Sequence, residues 1–263
     1  MEQMSGPYTA IRRMTEEICA ILGEDIPRSI YLHGSAAIGD FRPGWSDIDL
    51  LVLTGEPIPE DRALGLRGLR QALGDPVYRA FEGGMLSLDA FLTEIPDRVV
   101  YWGTSGERIA EKYDFNSLSR MDLLDHGILL CGREVRDRIS RPTEAERRRD
   151  IAAHLETIRK YARFTGRSLY AFGWLLDISR CLYTLRTGRI IGKTAAGEWA
   201  LESGLCPEPE ALGYALTVRR SPIEYRDRAE TLDRAEALDP AVQRYADVLE
   251  QELQVMQLPK APS

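Results

Sequence analysis

The chain has 263 residues, enough for one large domain or two small ones, and its 44% hydrophobic and 29% charged residues argue against a disordered protein. A net charge of −7 and an isoelectric point near 5.2 disfavour nucleic acid as a partner, because nucleic acid binds to basic surfaces. The scattered cysteines form no CxxC pair, so they indicate no zinc site. Without a signal-peptide pattern or a membrane-length apolar run, we expect a cytoplasmic protein with no membrane partner.

In the first half of the chain, short apolar runs alternate with helical patterns. Gly74 ends the second helical pattern, and Gly83-Gly84 indicates a break before the third strand. In chain order, the predicted elements are a helix at residues 8–22, strands at 30–33 and 47–53, a helix at 59–73, a strand at 85–92, a helix at 121–125 and a strand at 128–131.

From Pro142 onward the periods are helical. Thr143 with Glu146 three residues later is a capping-box pattern and predicts the start of the first helix. The predicted helices span residues 143–164, 169–187, 194–203, 208–219 and 240–256. The sequence therefore predicts an α+β fold, with a mixed sheet and flanking helices in residues 1–140, an all-helical domain in residues 141–258 and a disordered tail in residues 259–263.

Two acidic residues occur in a strand pattern shortly after a Gly-Ser pair. On a strand, Asp47 and Asp49 share one face, while Ile48 faces the other way. Two carboxylates held so close repel each other, and Mg²⁺, which prefers a few carboxylates together with phosphate oxygens, removes the repulsion. Gly34-Ser35 follows the preceding strand and can bring a backbone N–H and a hydroxyl against a phosphate. The pattern predicts Mg²⁺-dependent phosphoryl or nucleotidyl transfer.

A third carboxylate would bind a second metal ion or accept the proton of the attacking hydroxyl. Asp89 interrupts the apolar pattern of the third predicted strand, and it is the residue that we assign to this role, as base, as metal ligand or as both. Glu82 and Asp97, at the flanks of that strand, are the alternatives.

These motifs resemble the signature of the DNA polymerase β-like nucleotidyltransferase superfamily. Residues 32–36 (LHGSA) and 46–52 (SDIDLLV) are similar in particular to those of the aminoglycoside (streptomycin/spectinomycin) adenylyltransferases. In the helical half, the spaced SR, TG, Lys and WA of that family are matched within residues 178–200. The resemblance covers most of the chain and implies a nucleotidyltransferase domain, followed by a helical domain that binds substrate and closes over the nucleotide.

The resemblance also implies ATP as co-substrate, Mg²⁺ as cofactor and a role for several residues. Asp47 and Asp49 would hold Mg²⁺. Asp89 would take the place of the family's catalytic glutamate, the base that acts on the drug hydroxyl. The residues expected to contact the triphosphate are Gly34, Ser35, Ser46 and Lys193.

The sequence departs from the family where the family binds its acceptor. An acidic GDERN-like stretch, whose carboxylates bind the ammonium groups of the antibiotic, is replaced by residues 169–173 (LYAFG). Asp177 is the candidate to replace those carboxylates, and Tyr170 and Trp174 are candidates to line the pocket. Trp102 is expected in a loop where the family has an aromatic residue near the drug.

The leading hypothesis is Mg²⁺-dependent transfer of AMP from ATP to a hydroxyl of an aminoglycoside antibiotic of the streptomycin/spectinomycin kind, which gives resistance. The alternative is a nucleotidyltransferase that acts on another small molecule or on a protein hydroxyl. A non-catalytic nucleotide-binding module is disfavoured, because it would have lost one or more of the carboxylates. We expect a monomer whose partners are ATP and a small, cationic hydroxyl acceptor rather than nucleic acid.

Overall fold

A computed structural model describes residues 5–255 of the protein. The chain divides into two compact units. The sheet unit comprises the chain up to Ile38 together with Ser46–Arg141, and the helical unit comprises Gly39–Trp45 together with the chain from Pro142 onward. The tail predicted to be disordered, residues 259–263, lies outside the described residues.

A six-stranded mixed sheet organises the sheet unit. Its order is β5-β4-β3-β2-β1-β6, with β2 and β3 parallel and every other neighbouring pair antiparallel. The strands are β1 (Arg28–His33), β2 (Ile48–Thr54), β3 (Phe81–Ser87), β4 (Val99–Gly103), β5 (Gly106–Ala110) and β6 (Ile128–Gly132). The predicted fold class, a mixed sheet with flanking helices followed by a helical region, is confirmed.

The first of the helices beside this sheet buries an apolar stripe. On the first helix, Met14, Ile18 and Leu22 recur at four-residue spacing, and all three are fully buried. The helices of the sheet unit are α1 (Ser5–Leu22), α2 (Gly34–Ala37), α3 (Glu60–Ala72), α4 (Leu88–Thr93) and α5 (Ser117–His126).

The third strand starts and ends earlier than the sequence predicted. The glycine pair that indicated a break lies inside β3, because the backbone there passes close to β2. Gly83 has a φ of 146°, and a Cβ on it would lie 1.8 Å from the carbonyl oxygen of Leu50. Ser87 ends the strand, and its hydroxyl accepts a hydrogen bond from the N–H of Ala90. The chain therefore continues as α4, so the prediction of a strand at residues 85–92 was wrong.

Two strands were not predicted at all. The hairpin of β4 and β5 occupies the stretch between the third predicted strand and the helix α5. The edge strand β5 has the sequence GERIA and is half-buried to exposed, so it shows little of the apolar alternation that identifies a strand.

The helical unit is built around one buried helix. α7 (Tyr170–Thr187) buries most of its residues and packs against helices on several sides. The other helices are α6 (Glu144–Tyr161), α8 (Lys193–Glu202), α9 (Pro209–Arg220), α10 (Pro222–Tyr225), α11 (Ala229–Glu236) and α12 (Asp239–Val255). The predicted capping box is confirmed: Thr143 and Glu146 hydrogen-bond each other reciprocally at the start of α6.

Residues 39–45 belong to the helical unit although they lie between the two motifs of the sheet unit. The buried carboxylate of Asp40 accepts hydrogen bonds from the hydroxyl and the N–H of Thr194, at 2.5 and 3.1 Å. The guanidinium of Arg219, also buried, donates to the same carboxylate at 2.8 Å. The hydrogen bonds attach the segment to the start of α8, and the ion pair attaches it to the end of α9. No helix within residues 5–255 is both long and apolar enough to span a membrane.

Candidate active site

Two aspartates share one face at the start of β2, as the sequence predicted. Asp47 directly precedes the strand, and Asp49 is its second residue. Both are half-buried, whereas Ile48 and Leu50 between and after them are almost fully buried. This alternation follows from the two-residue period of a strand. It leaves the two carboxylates together at the polar end of β2.

The parallel neighbour of β2 brings a third carboxylate to this place. In the β2–β3 register Asp49 pairs with Glu82, which is half-buried. Burial and then the negative charges of Asp47 and Asp49 raise the pKa of Glu82 to about 7, while the charge of Arg70 opposes them. Glu82 is therefore held in an electronegative environment that its aspartate neighbours create.

Asp89, the residue to which the sequence assigned the third role, lies elsewhere. It is in the first turn of α4, beyond the end of β3, and its side chain is exposed. The assignment assumed that the side chain of Asp89 alternates with its neighbours on a third strand. This assumption was wrong because that strand ends at Ser87. Asp97, the other alternative, accepts a hydrogen bond from the N–H of Ser87 and so terminates the strand.

A tight turn brings the Gly-Ser pair against the aspartates. Gly34 has a φ of 67°, and a Cβ on it would lie 2.0 Å from Oδ2 of Asp49, so only glycine fits there. The hydroxyl of Ser35 donates to the backbone oxygen of Asp47 at 3.4 Å. Ser46, half-buried, directly precedes Asp47 in the chain. The sheet unit thus gathers Gly34, Ser35, Ser46 and both aspartates.

One residue of this region was not identified from the sequence. Asp122, buried on α5, accepts a hydrogen bond from the backbone N–H of Gly34 and positions the turn. Its carboxylate lies 3.9 Å from Nδ1 of His33, whose pKa is lowered to about 4 by burial, so the imidazole is neutral near pH 7. An acid between Met121 and Leu123 is the signal that the sequence offered.

The carboxylates at the start of β2 suit Mg²⁺. Among residues 5–255, no three His, Cys, Asp or Glu side chains form a group that would hold a metal by themselves. Mg²⁺ is usually bound by one or two carboxylates, with phosphate oxygens and water completing the octahedron. Asp47 and Asp49, next to a turn suited to a phosphate, fit that requirement.

Family models match both halves of the chain. The model described as a nucleotidyltransferase domain matches residues 11–129, which contain both motifs and all six strands except the last residues of β6. The model described as the C-terminal domain of aminoglycoside adenylyltransferase matches residues 145–252. The chain belongs to the aminoglycoside adenylyltransferase family. It is a nucleotidyltransferase.

A solved structure has the same fold. It is a crystal structure of spectinomycin adenyltransferase from Enterococcus faecialis with ATP and spectinomycin, and it is similar to this adenylyltransferase with a TM-score of 0.66. The likeness covers 92% of this chain and 99% of that chain at 17% sequence identity. At this identity the comparison supports the fold alone.

In the helical unit of the adenylyltransferase, Lys193 is bound to an acid of its own unit. It is the first residue of α8, and its ammonium lies 3.0 Å from the carboxylate of Asp177 on α7. Arg180, one turn further along α7, donates to the same carboxylate at 3.1 Å. Asp177 was predicted to replace the family's drug-binding carboxylates, but it is buried and engaged by these two cations.

The prediction that Trp102 lies in a loop was wrong. It is a residue of β4, it is almost fully buried, and its indole N–H donates to the backbone oxygen of Leu66 on α3. The guanidinium of Arg70 lies over its ring. Trp102 was expected in a loop because the β4–β5 hairpin was not predicted, and an aromatic residue in a core strand is ordinary packing.

The substituted segment, residues 169–173, forms the start of α7 and borders a cavity of about 220 Å³. Tyr170, an exposed residue at the start of α7, lines it together with Trp45, Arg167 and Arg226. Trp174 lies further along the helix, where its indole N–H donates to the hydroxyl of Thr165 at 2.7 Å. The residues that line this cavity are aromatic, apolar, basic or neutral, and none is an acid.

Proposed function

We propose that the protein transfers AMP from ATP, with Mg²⁺, to a hydroxyl of an aminoglycoside antibiotic of the streptomycin/spectinomycin kind, and so gives resistance. The observation that carries the proposal is the group formed by Asp47, Asp49, Glu82 and the Gly34-Ser35 turn at one end of β2 and β3. Membership of the adenylyltransferase family supports the reaction, and a fold relative crystallised with ATP and spectinomycin supports the two substrates.

The nucleotide end of the reaction is assigned to the sheet unit. Asp47 and Asp49 would hold Mg²⁺, which neutralises charge on the transferred phosphoryl group and orients the triphosphate when it is bound. The hydroxyls of Ser35 and Ser46 would contact phosphate oxygens, and Gly34, whose N–H is held by Asp122, would let the phosphates approach because it has no side chain to keep them away. Lys193, from the helical unit, would contribute a cation to the phosphates.

We assign the base that accepts the proton of the acceptor hydroxyl to Glu82 instead of Asp89. A base must reach the hydroxyl while the hydroxyl attacks the phosphorus, so it belongs beside the metal carboxylates. Glu82 occupies that position through its register with Asp49. Asp89 is exposed on the following helix, at a different place in the unit.

A second candidate function is favoured by one observation. The cavity beside the substituted segment is lined by Tyr170, Trp45 and two arginines, and no acid lines it. Such a surface suits a hydroxylated acceptor with little positive charge better than a polycation. Transfer of AMP to another small molecule, or to a protein hydroxyl, is therefore the alternative.

The test is an acceptor panel that spans this range of charge. The protein is mixed with Mg²⁺·ATP and with streptomycin, spectinomycin or a lincosamide, and pyrophosphate release and acceptor mass are followed. The proposal expects release that depends on a cationic aminoglycoside and an acceptor heavier by one AMP. Modification of the lincosamide alone would favour the second candidate, and AMP found only on the protein would favour a protein hydroxyl. Asp47→Asn is the inactive control in every arm.

A further inference from the structure

The fold brings two cysteines of the sheet unit into contact. Cys19 lies in the last turn of α1 and Cys131 lies in β6, 112 residues further along the chain, and their sulfur atoms are 3.3 Å apart. Both thiols are free and both residues are half-buried, so a small reagent can reach them. A disulfide bond is about 2.05 Å long, so the sulfur atoms need to approach by roughly 1 Å to form one.

The backbone on both sides of this contact is held by Arg28, the first residue of β1. The guanidinium of Arg28 donates to the backbone oxygen of Cys19 at 2.9 Å. The backbone oxygen of Arg28 accepts a hydrogen bond from the N–H of Arg133, two residues beyond Cys131, at 3.4 Å. Cys131 itself pairs with Ile30 in the β1–β6 register. The backbones that carry the two thiols are therefore fixed beside each other before any bond forms.

Two thiols in contact suit a disulfide better than a structural metal. A zinc site has four ligands, and among residues 5–255 no three His, Cys, Asp or Glu side chains are grouped so as to hold a metal. The other two cysteines, Cys181 and Cys206, are buried in the helical unit, where a reagent does not reach them. Oxidation is therefore directed to Cys19 and Cys131.

We propose that Cys19 and Cys131 are a site of reversible covalent modification, at which a small disulfide of the glutathione class produces a protein disulfide that links α1 to β6 and stabilises the sheet unit. The thiolate of one cysteine attacks the reagent, a sulfur–sulfur bond to the protein forms, and one glutathione leaves. The second cysteine attacks the protein sulfur of this mixed disulfide and displaces the second glutathione. Two protein thiols lose two electrons and two protons, and one glutathione disulfide becomes two thiols.

The stabilisation comes from the length of chain that the link encloses. The closed loop contains the strands β1 to β5 together with the Gly34-Ser35 turn and both metal aspartates. Closing it removes conformational freedom from the unfolded chain. For a loop of this length, we expect the melting temperature of the sheet unit to rise by about 5 to 10 °C.

The test is incubation of the full chain with oxidised glutathione, followed by tryptic mapping without reduction. Burial, and then the hydrogen bond with Cys131, raises the pKa of Cys19 to about 11, so this thiol reacts slowly near pH 7 and the reaction is followed to completion. The expected product joins residues 14–28 (MTEEICAILGEDIPR) to residues 121–133 (MDLLDHGILLCGR), and dithiothreitol separates them. Thermal unfolding of the same sample should show the higher melting temperature, which dithiothreitol should return to its starting value.

The variants separate the pair from the other thiols. Cys206→Ser is the matched control and should give the same linked peptides and the same rise in melting temperature. Cys19→Ser and Cys131→Ala should each give no linked peptides and no rise, and the mapping of the wild type does not depend on either variant folding.

Two results would overturn the inference. Wild-type thiols that stay unmodified, or that stop as mixed disulfides with glutathione, would show that the pair is not a disulfide site. Linked peptides with an unchanged melting temperature would remove the stabilising role. None of these measurements depends on nucleotidyl transfer, so they leave the proposed function untouched.

Discussion

The buried acids of the two units lie in opposite charge environments. In the sheet unit, Glu82 has Asp47 and Asp49 as neighbours, and burial together with their charges raises its pKa to about 7. In the helical unit, Asp177 is buried more deeply, yet Lys193 and Arg180 hold its pKa at about 2. The difference shows that like charges are collected in the sheet unit, where an external cation would relieve them, and that opposite charges are matched inside the helical unit.

The largest effect is expected from the acids at the start of β2. Asp47→Asn and Asp49→Asn should each lower kcat by about a thousandfold or more, because an amide cannot balance the charge of Mg²⁺ and several kcal/mol of transition-state stabilisation are lost. Thermal unfolding should be unchanged or slightly improved, since each variant relieves repulsion. Turnover near that of the wild type in either variant, with Mg²⁺ present, would show that the aspartates do not hold the metal.

The next effect separates the two candidate bases. Glu82→Gln should lower kcat by about a hundredfold to ten-thousandfold while Mg²⁺·ATP still binds, because the lost group accepts a proton and does not bind the nucleotide. Asp89→Asn is the matched control on the exposed surface of α4 and should retain activity within about twofold. If Asp89→Asn lowers kcat more than Glu82→Gln does, Asp89 is the base, and the pairing of Glu82 with Asp49 has no catalytic role.

In the helical unit, substitutions of paired acids are expected to lower the free energy of unfolding. Asp40→Ala leaves Arg219, which is 2% exposed, without its carboxylate, and should cost about 3 to 5 kcal/mol of unfolding free energy. Glu198→Ala breaks the exposed pair with Arg220, the neighbouring residue on α9, and should cost at most about 1 kcal/mol. Denaturant titration of both variants measures the contrast. Equal losses would mean that matching of buried charge does not stabilise this unit.

The smallest effect is a pH dependence that belongs to Asp177. Its folded pKa of about 2 lies below the usual value of 3.8, so its ionised form stabilises the folded protein above about pH 4, and this contribution is lost as the pH falls towards 2. The shift corresponds to about 2 kcal/mol. The difference in unfolding free energy between the wild type and Asp177→Asn should shrink by this amount between pH 6 and pH 2. A difference that does not vary with pH would contradict the pairing.

Local patterns predicted the elements whose signals lie within a few residues. The Gly-Ser turn, the alternation of Asp47 and Asp49 and the capping box at Thr143 are of this kind, and all of them are present. The third strand failed because its glycine pair indicated a break. Glycine is needed at Gly83 for close approach to the backbone of β2, a requirement that only the partner strand reveals.

The sequence by itself determined the fold class and the shared face of Asp47 and Asp49, because strand and helix periods and the spacing of the two motifs are properties of consecutive residues. Only the tertiary structure decided which acid joins them. Glu82 reaches Asp49 through the parallel register of β2 and β3, while Asp89 turns away on α4. It also decided that Asp177 is bound by Lys193 and Arg180. The physical reason is that the charge environment of a side chain depends on neighbours far apart in the chain, and the fold alone brings them together.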